Sequence, residues 1–324
     1  MLGAIIGDIA GSRFEFDSTN DYNFEFINSE CDFTDDTICT IAIADAINRG
    51  RDYGETMHEW CRKYPCPMGY YGGSFAAWVR SNNPQPYGSY GNGSAMRVSP
   101  IAYAFTDLKK VLEEAAWSAA CTHNHLEGIK GAMTVAMAIR LALDYSLDHY
   151  QSAVFHIDEI LQKCVEFSGY DINMPKSSVL NHFDDTCQGT VPVALKIISM
   201  ARSYEDAVRM AVCLGTDADT LGAIVGSIAE AIWGIPGELK DKVIDTLLPE
   251  DMKEVYEQFF APGVRSNKML TDSTFCRSGS SDASWDMLHE ISSEDCLYLD
   301  DRVVKRKQEM LRLMQERAKA REQW

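Results

Sequence analysis

Apolar residues recur every three or four positions through most of the chain, which is the spacing of one face of an α-helix. No segment has the strict apolar–polar alternation that is typical of a half-buried strand. The pattern predicts an all-α body whose first helix lies in the apolar start of the chain. The other predicted helices are Thr37–Asn48, Leu108–Ala120, Gly128–Asp144, Ala153–Phe167, Thr190–Met200, Tyr204–Leu214 and Thr220–Trp233.

Two segments rich in glycine, proline and aromatic residues interrupt this pattern, at 64–75 and 81–100. Their composition suits a ligand-binding surface better than a simple connector. After about Pro262 a polar stretch leads to Asp301–Trp324, which holds eight basic and four acidic residues and predicts a charged helix. We expect residues 1–262 to form one domain and residues 263–324 a C-terminal extension. Its helix either packs on the acidic body, or on a second subunit, or binds a partner.

The composition is that of a soluble globular protein, with 324 residues, 46% hydrophobic, 24% charged and a formal net charge of −18. Excess acid argues against a nucleic-acid surface, which requires a basic patch. Without a long apolar run or a basic leader, we expect no membrane span, no signal peptide and a cytoplasmic protein. The ten cysteines lack zinc-ribbon or C-x-x-C spacing, so we expect mostly buried, reduced thiols.

Two acidic motifs stand directly before helical patterns, FTDDT at Phe33–Thr37 and GTDADT at Gly215–Thr220. One such motif is most often an N-cap, because Thr and Asp accept hydrogen bonds from the first N–H groups of a helix. Together the two motifs carry four carboxylates, more than capping requires. If the helix starts meet, their repulsion requires cations, and oxygen-only ligands select Mg²⁺ or Mn²⁺. The candidate metal ligands are Thr34, Asp35, Asp36, Asp217, Asp219 and Thr220.

A third motif, FDDT at Phe183–Thr186, also precedes a helical pattern. Pro192 falls early in that helix, as it does in many ordinary helix starts. We therefore leave Asp184 and Asp185 out of the metal set and expect them to line a rim or to cap the helix.

Five motifs, in this order, resemble the ADP-ribosylglycohydrolase family: GAIIGDIAGSRFE, FTDDT, GNGSAMR, THNHLEGIKGA and LGTDADTLGAIVGSIAEAIWGIP. The resemblance covers about residues 1–236. It implies an all-α fold with a two-metal site for Mg²⁺ or Mn²⁺ in a cleft, and the same six metal ligands. It also implies hydrolysis of the bond between C1″ of ADP-ribose and an acceptor such as arginine or serine, so that ADP-ribose or an ADP-ribosylated molecule is the partner.

The resemblance also implies roles for residues outside the two acidic motifs. Glu15 corresponds to a family glutamate that reaches the metals in some members, although its sequence context alone also fits an exposed loop acid. We assign catalysis to Glu15, Asp35 and Asp219. The glycine loop suits a pyrophosphate, because glycine lets backbone N–H groups approach an anion. The implied substrate contacts are Gly91, Asn92, Gly93, Ser94, Met96, His123, Asn124 and His125.

Some residues keep two interpretations or depart from the family pattern. Arg97 fits a phosphate contact and a structural salt bridge equally. Leu126 stands where bacterial members usually have proline, and Thr216 where a second glycine is common; both changes affect loop shape and leave the ligand oxygens in place. The aromatic residues that could stack on adenine, or pack in the core or rim, are Tyr70, Tyr71, Tyr87, Tyr90 and Phe183.

The predicted reaction is attack of water on an anomeric carbon, with the cations fixing the ribose. One alternative is a Mg²⁺-dependent hydrolase of a nucleotide pyrophosphate, since acid clusters with two metals also suit phosphoryl chemistry. Another is a non-catalytic family member that binds ADP-ribose or has a structural role. The sequence leaves the acceptor open among arginine, serine, a base and a small metabolite.

Overall fold

The computed structural model describes residues 1–147 and 152–261. In this part of the chain the all-α prediction is confirmed, and the one strand-like pairing is an isolated bridge between Gly91 and Thr186. The helices are α1 (Leu2–Gly11), α2 (Asp35–Arg49), α3 (Tyr53–Lys63), α4 (Gly73–Arg80), α5 (Gly93–Met96), α6 (Ser99–Ala104), α7 (Leu108–Ala120), α8 (Leu126–Leu147), α9 (Ile157–Ser168), α10 (Cys187–Met200), α11 (Tyr204–Val212), α12 (Ala218–Trp233), α13 (Gly237–Thr246) and α14 (Glu250–Phe260).

All seven helices predicted from the apolar spacing are present, and so is the first helix. The bounds of α7 agree with the prediction, whereas α10 begins three residues earlier and contains Pro192. Residues Ala153–His156 form a short 3₁₀ turn in front of α9. The helix predicted at Asp301–Trp324 lies outside the described residues, and the domain boundary at residue 262 stays a prediction.

Segments 64–75 and 81–100, which interrupt the helical pattern in the sequence, contain short helices in the structure. Helix α4 begins inside the first, and α5 and the start of α6 lie inside the second. Helix α5 has only four residues, and its flanking Asn92 makes no side-chain cap. Such a short helix is set by its tertiary contacts, so apolar spacing gives little warning of it.

Helices α1 and α12 pack backbone to backbone at the centre of the fold. A Cβ atom built on Gly222 would lie 2.5 Å from the carbonyl oxygen of Gly7, and one built on Gly7 would overlap the carbonyl oxygen of Gly222. Gly3 and Gly226 meet in the same way one turn further along. All ten residues of α1 are buried, as is almost all of α12. This close approach places Asp8 of α1 next to the start of α12.

The sequence also leads us to expect buried, reduced cysteines and no membrane-spanning helix. The eight cysteines in the described ranges are free thiols, and all except Cys66 are buried. None of the helices in those ranges is long and apolar enough to cross a bilayer.

We expect Gly222→Ala to lower the free energy of unfolding by about 3 kcal/mol or more, the upper part of the range for overpacked cores. The added methyl group meets a backbone carbonyl, which cannot rotate out of the way. Urea denaturation of the variant and the wild type measures the difference.

Gly237→Ala is the matched control, because a Cβ atom there has nothing within 4 Å. Its effect should stay within about 0.5 kcal/mol. Equal stability of Gly222→Ala and the wild type would show that the close helix contact is not required.

Candidate active site

One cleft, with a cavity of about 700 Å³, collects most of the residues predicted to be functional. The starts of α2 and α12 form its floor, and the glycine loop before α5 forms one wall. The predicted site residues that line it are Glu15, Asp35, Asp36, Gly91, Asn92, Gly93, Met96, His123, Asp217, Asp219 and Thr220. Thr34 lies directly beneath the cleft and is fully buried.

The start of α2 is held by its own threonine and by Asp8 of α1. The Thr34 hydroxyl accepts a hydrogen bond from the backbone N–H of Asp36 at 3.2 Å, so Thr34 is an N-cap. Asp8 accepts from the Thr34 hydroxyl at 2.8 Å and from the Thr37 hydroxyl at 2.5 Å. Capping therefore explains Thr34 and Asp8, but it leaves the Asp35 and Asp36 side chains unexplained.

The two acidic helix starts meet, although 184 residues separate the atoms that touch. The Thr220 hydroxyl donates to Oδ2 of Asp36 at 3.2 Å. Asp217 precedes α12 without capping it through its side chain, and it accepts from Nδ2 of Asn92 at 2.7 Å. The contact between the motifs is thus made by the carboxyl and hydroxyl groups themselves.

Burial and mutual repulsion raise the pKa values of these acids. The pKa of Asp36 lies well above its ordinary value, first through burial and then through the charges of Asp219 and Asp8. The same two causes, burial and neighbouring acids, raise the pKa values of Asp35 and Asp217. Without cations, this set of carboxyl groups cannot all be ionised near neutral pH except at a cost.

The donor atoms have the chemistry that a hard divalent cation requires. Oδ1 of Asp36 and Oδ1 of Asp219 are buried and have no hydrogen-bond partner. Buried carboxylate oxygens without partners are costly unless a cation or a proton satisfies them. All six predicted ligands offer oxygen, the donor that Mg²⁺ and Mn²⁺ prefer.

The arrangement stops short of a formed metal centre. Within residues 1–147 and 152–261, no three His, Cys, Asp or Glu side chains are grouped as metal ligands. The chemistry of the six residues therefore fits a cation site, and their role as ligands stays a prediction.

Glu15 lies at the edge of the cleft, in the segment that follows α1. Burial and the charges of Asp219 and Asp35 raise its pKa to about 8. A Cβ atom on Gly69 would overlap the Glu15 carboxyl group, and Gly69 has a left-handed φ of 76°. Glycine suits this turn on both counts, and it leaves room for the Glu15 carboxyl group at the edge of the cleft.

The glycine loop and His123 form a wall of the cleft beside the acids. Nε2 of His123 lies 3.2 Å from the position of a Cβ atom on Gly93, so a larger residue there would press on the ring. Burial and Arg97 lower the pKa of His123 well below its ordinary value, so the ring is neutral. Its Nδ1 atom lies 2.7 Å from the Thr122 hydroxyl, which fixes the ring.

The buried Arg97 side chain forms hydrogen bonds within the protein. It is 1% exposed and donates to the carbonyl of Ser118 at 3.1 Å and to the hydroxyl of Thr122 at 2.8 Å. Neither interpretation from sequence describes these contacts, since both partners are neutral groups of the protein. Arg97 supports Thr122 and, through it, the His123 ring.

Three of the predicted substrate contacts do not line the cleft. Ser94 is buried and donates to the carbonyl of Gly128 at 2.7 Å. Asn124 accepts from the N–H of Gly88 at 2.6 Å, and Nδ1 of His125 accepts from the N–H of Glu127 at 3.1 Å. Their observed contacts hold the loop and the start of α8 in place, and their role as substrate contacts stays a prediction.

The aromatic candidates divide by exposure. Tyr71 donates to the carbonyl of Tyr64 at 2.7 Å and is half-buried, and Tyr87 packs against the core. Tyr70, Tyr90 and Phe183 are exposed at the rim. Sequence reasoning missed Phe16, which is also exposed at the rim, and no signal in its polar segment would have identified it.

The two acids of the FDDT motif lie before α10 and on the lining of the cleft. Oδ1 of Asp184 accepts from the N–H and the hydroxyl of Thr186 at 2.9 and 2.6 Å, just before α10. Asp185 lies on the cleft lining. Neither side chain joins the acid cluster of α2 and α12.

The fold and the cleft define the class of protein. It is an all-α protein in which two acidic helix starts lie at the floor of a pocket lined by a glycine loop. A model of the ADP-ribosylglycohydrolase family matches residues 1–267. Because this match covers most of the sequence, the chain belongs to the ADP-ribosylglycohydrolase family.

Two relatives and one solved structure illustrate the relationship. ADP-ribosylhydrolase ARH3 of Mus musculus is 24% identical over 309 residues, covering 72% of this chain and 83% of its own. ADP-ribosylarginine hydrolase Tri1 of Pseudomonas putida (strain GB-1) is 23% identical over 300 residues, covering 80% and 76%. An ADP-ribosylglycohydrolase-related protein complex has a TM-score of 0.60 and 22% identity, covering 80% of this chain and 94% of that one, which shows the fold.

We expect the free energy of unfolding, measured by urea denaturation in EDTA, to fall as the pH rises from about 4 to about 8. The pKa values of Asp8 and Glu15 rise from 3.8 and 4.5 to about 7 and about 8 on folding. The folded state therefore holds protons that the unfolded state has lost, so stability is full below the unfolded values and decreases through the folded ones.

Asp36→Asn is the control, because it removes one charge from the cluster and leaves the surface acids unchanged. Its stability should fall less over the same pH range. An identical fall in both proteins would show that the cluster does not contribute.

Proposed function

We propose that this chain hydrolyses the glycosidic bond between C1″ of an ADP-ribosyl group and an acceptor, using two Mg²⁺ or Mn²⁺ ions. The observation that carries the proposal is the contact between the two acidic helix starts, where carboxylate oxygens of Asp36 and Asp219 are buried without partners. Family membership and the names of the relatives support the same reaction class.

Thr34, Asp35 and Asp36 on α2, with Asp217, Asp219 and Thr220 at α12, would hold the ions. Bound cations would grip ribose hydroxyls and lower the pKa of a water molecule. Asn92 keeps Asp217 in place through its 2.7 Å hydrogen bond. The helix starts add partial positive charge, which favours acids and anions at this point.

Glu15 is the proposed proton carrier. Its carboxyl group lines the cleft and would give a proton to the leaving acceptor atom and then take one from the attacking water. Water then supplies the oxygen on C1″, so that the products are ADP-ribose and the free acceptor. The neutral His123 ring contributes shape and a hydrogen bond to the substrate without adding charge.

The glycine loop is the proposed phosphate and ribose subsite. Gly91, Asn92 and Gly93 line the cleft, and glycine lets backbone N–H groups approach an anion closely. The exposed rings of Tyr90 and Phe183 stand at the rim and offer stacking faces for adenine.

We expect the protein to release intact ADP-ribose from ADP-ribosylated arginine or serine peptides in Mg²⁺ or Mn²⁺, and to lose this activity in EDTA. Asp219→Asn should lower turnover about 100-fold or more while the protein stays folded, because it removes a ligand charge. Mass spectrometry of peptide and nucleotide products is the readout, with circular dichroism to verify folding.

Three other outcomes would each contradict part of the proposal or favour one of the alternative functions. Unchanged turnover in EDTA contradicts the metal requirement. Release of AMP indicates pyrophosphate hydrolysis, and calorimetric binding of ADP-ribose without turnover of any conjugate indicates a binding protein.

We expect Tyr90→Ala and Phe183→Ala to weaken ADP-ribose binding about tenfold each, since base–aromatic stacking contributes about 1–3 kcal/mol. Phe155→Ala is the matched control, because Phe155 is as exposed as Phe183, at 51% against 53%, and lies outside the cleft lining. Isothermal titration calorimetry measures the affinities. Equal affinities in all three variants would place the adenine elsewhere.

A further inference from the structure

Asp8 is a buried acid beside Asp219 that the proposed chemistry does not use. It lies in the middle of α1, is 0% exposed, and has no ion pair with a basic residue in the described ranges. A buried carboxylate without a cationic partner is costly, so its place needs a physical reason.

Asp8 accepts four hydrogen bonds, all from the first turn of α2. Oδ2 accepts from the backbone N–H groups of Thr34 and Thr37, both at 3.1 Å, and from the Thr37 hydroxyl at 2.5 Å. Oδ1 accepts from the Thr34 hydroxyl at 2.8 Å. Asp8 thus supplies, from another helix, the acceptors that the N-cap and N3 positions of α2 require.

The bond to the Thr34 hydroxyl determines which way its proton points. A hydroxyl has one proton and two lone pairs. The Thr34 proton goes to Oδ1 of Asp8, at 2.8 Å, because Oδ2 of Asp36 is further away at 3.4 Å. One lone pair of the hydroxyl accepts from the N–H of Asp36. One lone pair is left, on the side of the acid cluster.

We propose that Asp8 is a positioning residue for cation binding: it keeps the Thr34 proton turned away, so that the remaining Thr34 lone pair faces the cation. This inference rests on the proposed metal site. It assigns to Asp8 a role beyond capping. A cap needs an oxygen that accepts hydrogen bonds, and an amide side chain also has one. Orienting the Thr34 proton needs in addition that the side chain donates no hydrogen bond, which a carboxylate satisfies and an amide does not.

Asparagine at this position separates the two roles. An amide has one accepting oxygen and a donating nitrogen. In Asp8→Asn the amide nitrogen would donate to the Thr34 hydroxyl, whose proton would then turn toward Oδ2 of Asp36, 3.4 Å away. That proton would occupy the space that a cation needs.

We expect Asp8→Asn to bind Mg²⁺ and Mn²⁺ about 10–100-fold more weakly than the wild type, the range typical of groups that orient metal ligands. Its stability in EDTA should be equal or higher, because a buried charge beside Asp219 is removed. Calorimetric titration with the metal ions and urea denaturation in EDTA, both at about pH 8, measure the two quantities. A residue that only caps α2 would give the reverse, lower stability and unchanged affinity, which would overturn the proposal.

Asp45→Asn is the matched control. Asp45 is buried on α2, the helix that Asp8 caps, and it accepts from Nε1 of Trp60 at 2.9 Å, away from the cleft. This variant should lose stability and keep its metal affinity.

A double-mutant cycle tests the route through Thr34. In a Thr34→Val background, which has no hydroxyl to orient, Asp8→Asn should cause no further loss of metal affinity. An undiminished further loss would overturn the proposed route. If Asp8→Asn does not fold, Thr37→Val takes its place, because it removes one partner of Asp8 and no proposed ligand. A fall of a few-fold in affinity supports the proposal, and no fall contradicts it.

The experiment distinguishes this inference from the proposed function. If the wild type binds no divalent cation, both fail. If the wild type binds the ions and Asp8→Asn binds them equally well, only the role of Asp8 fails. Cation binding without hydrolysis of any conjugate leaves the positioning result valid and removes the proposed reaction.

Discussion

The contact between α1 and α12 is the constraint from which the site follows. Gly7 and Gly222 let the two backbones approach so closely that no side chain fits between them. This approach places Asp8 beside the start of α12, and Asp8 in turn fixes the start of α2. The two acidic motifs are therefore brought together by backbone packing and helix caps, and their own charges oppose the arrangement.

Burying like charges close together destabilises the folded state, so other interactions must offset that cost. In this chain the central helices are almost entirely buried in an apolar core, which supplies the opposing free energy. Protons can also relieve the repulsion, as the raised pKa values of Asp8 and Glu15 indicate. Protons and cations would then compete for the same oxygens, since a ligand must lose its proton to bind a metal.

The sequence predicted the helices whose apolar spacing persists over several turns, as in α7 and α8. It missed α3, α13 and α14, although each is 10 or 11 residues long, and the shorter helices α4, α5 and α6. The four residues of α5 depend on contacts with distant segments. The acid motifs stood out because charge was repeated at two helix starts, whereas Asp8 is a single acid in an apolar run and carries no local signal of its four partners. Ser94 was placed in the right loop, but spacing cannot show that its side chain points to Gly128.

The charges around the cleft connect cation binding to substrate binding. Among the described residues that line it, Arg97 is the single Lys or Arg, and its guanidinium group is bonded to Ser118 and Thr122. A pyrophosphate would therefore meet an acidic floor with backbone N–H groups as its main protein donors. Under the proposed function, cations at the acidic helix starts offset the repulsion among the acids and also the repulsion between the acids and the substrate. Each ligand then raises the affinity for the other, since coupling between two sites is reciprocal.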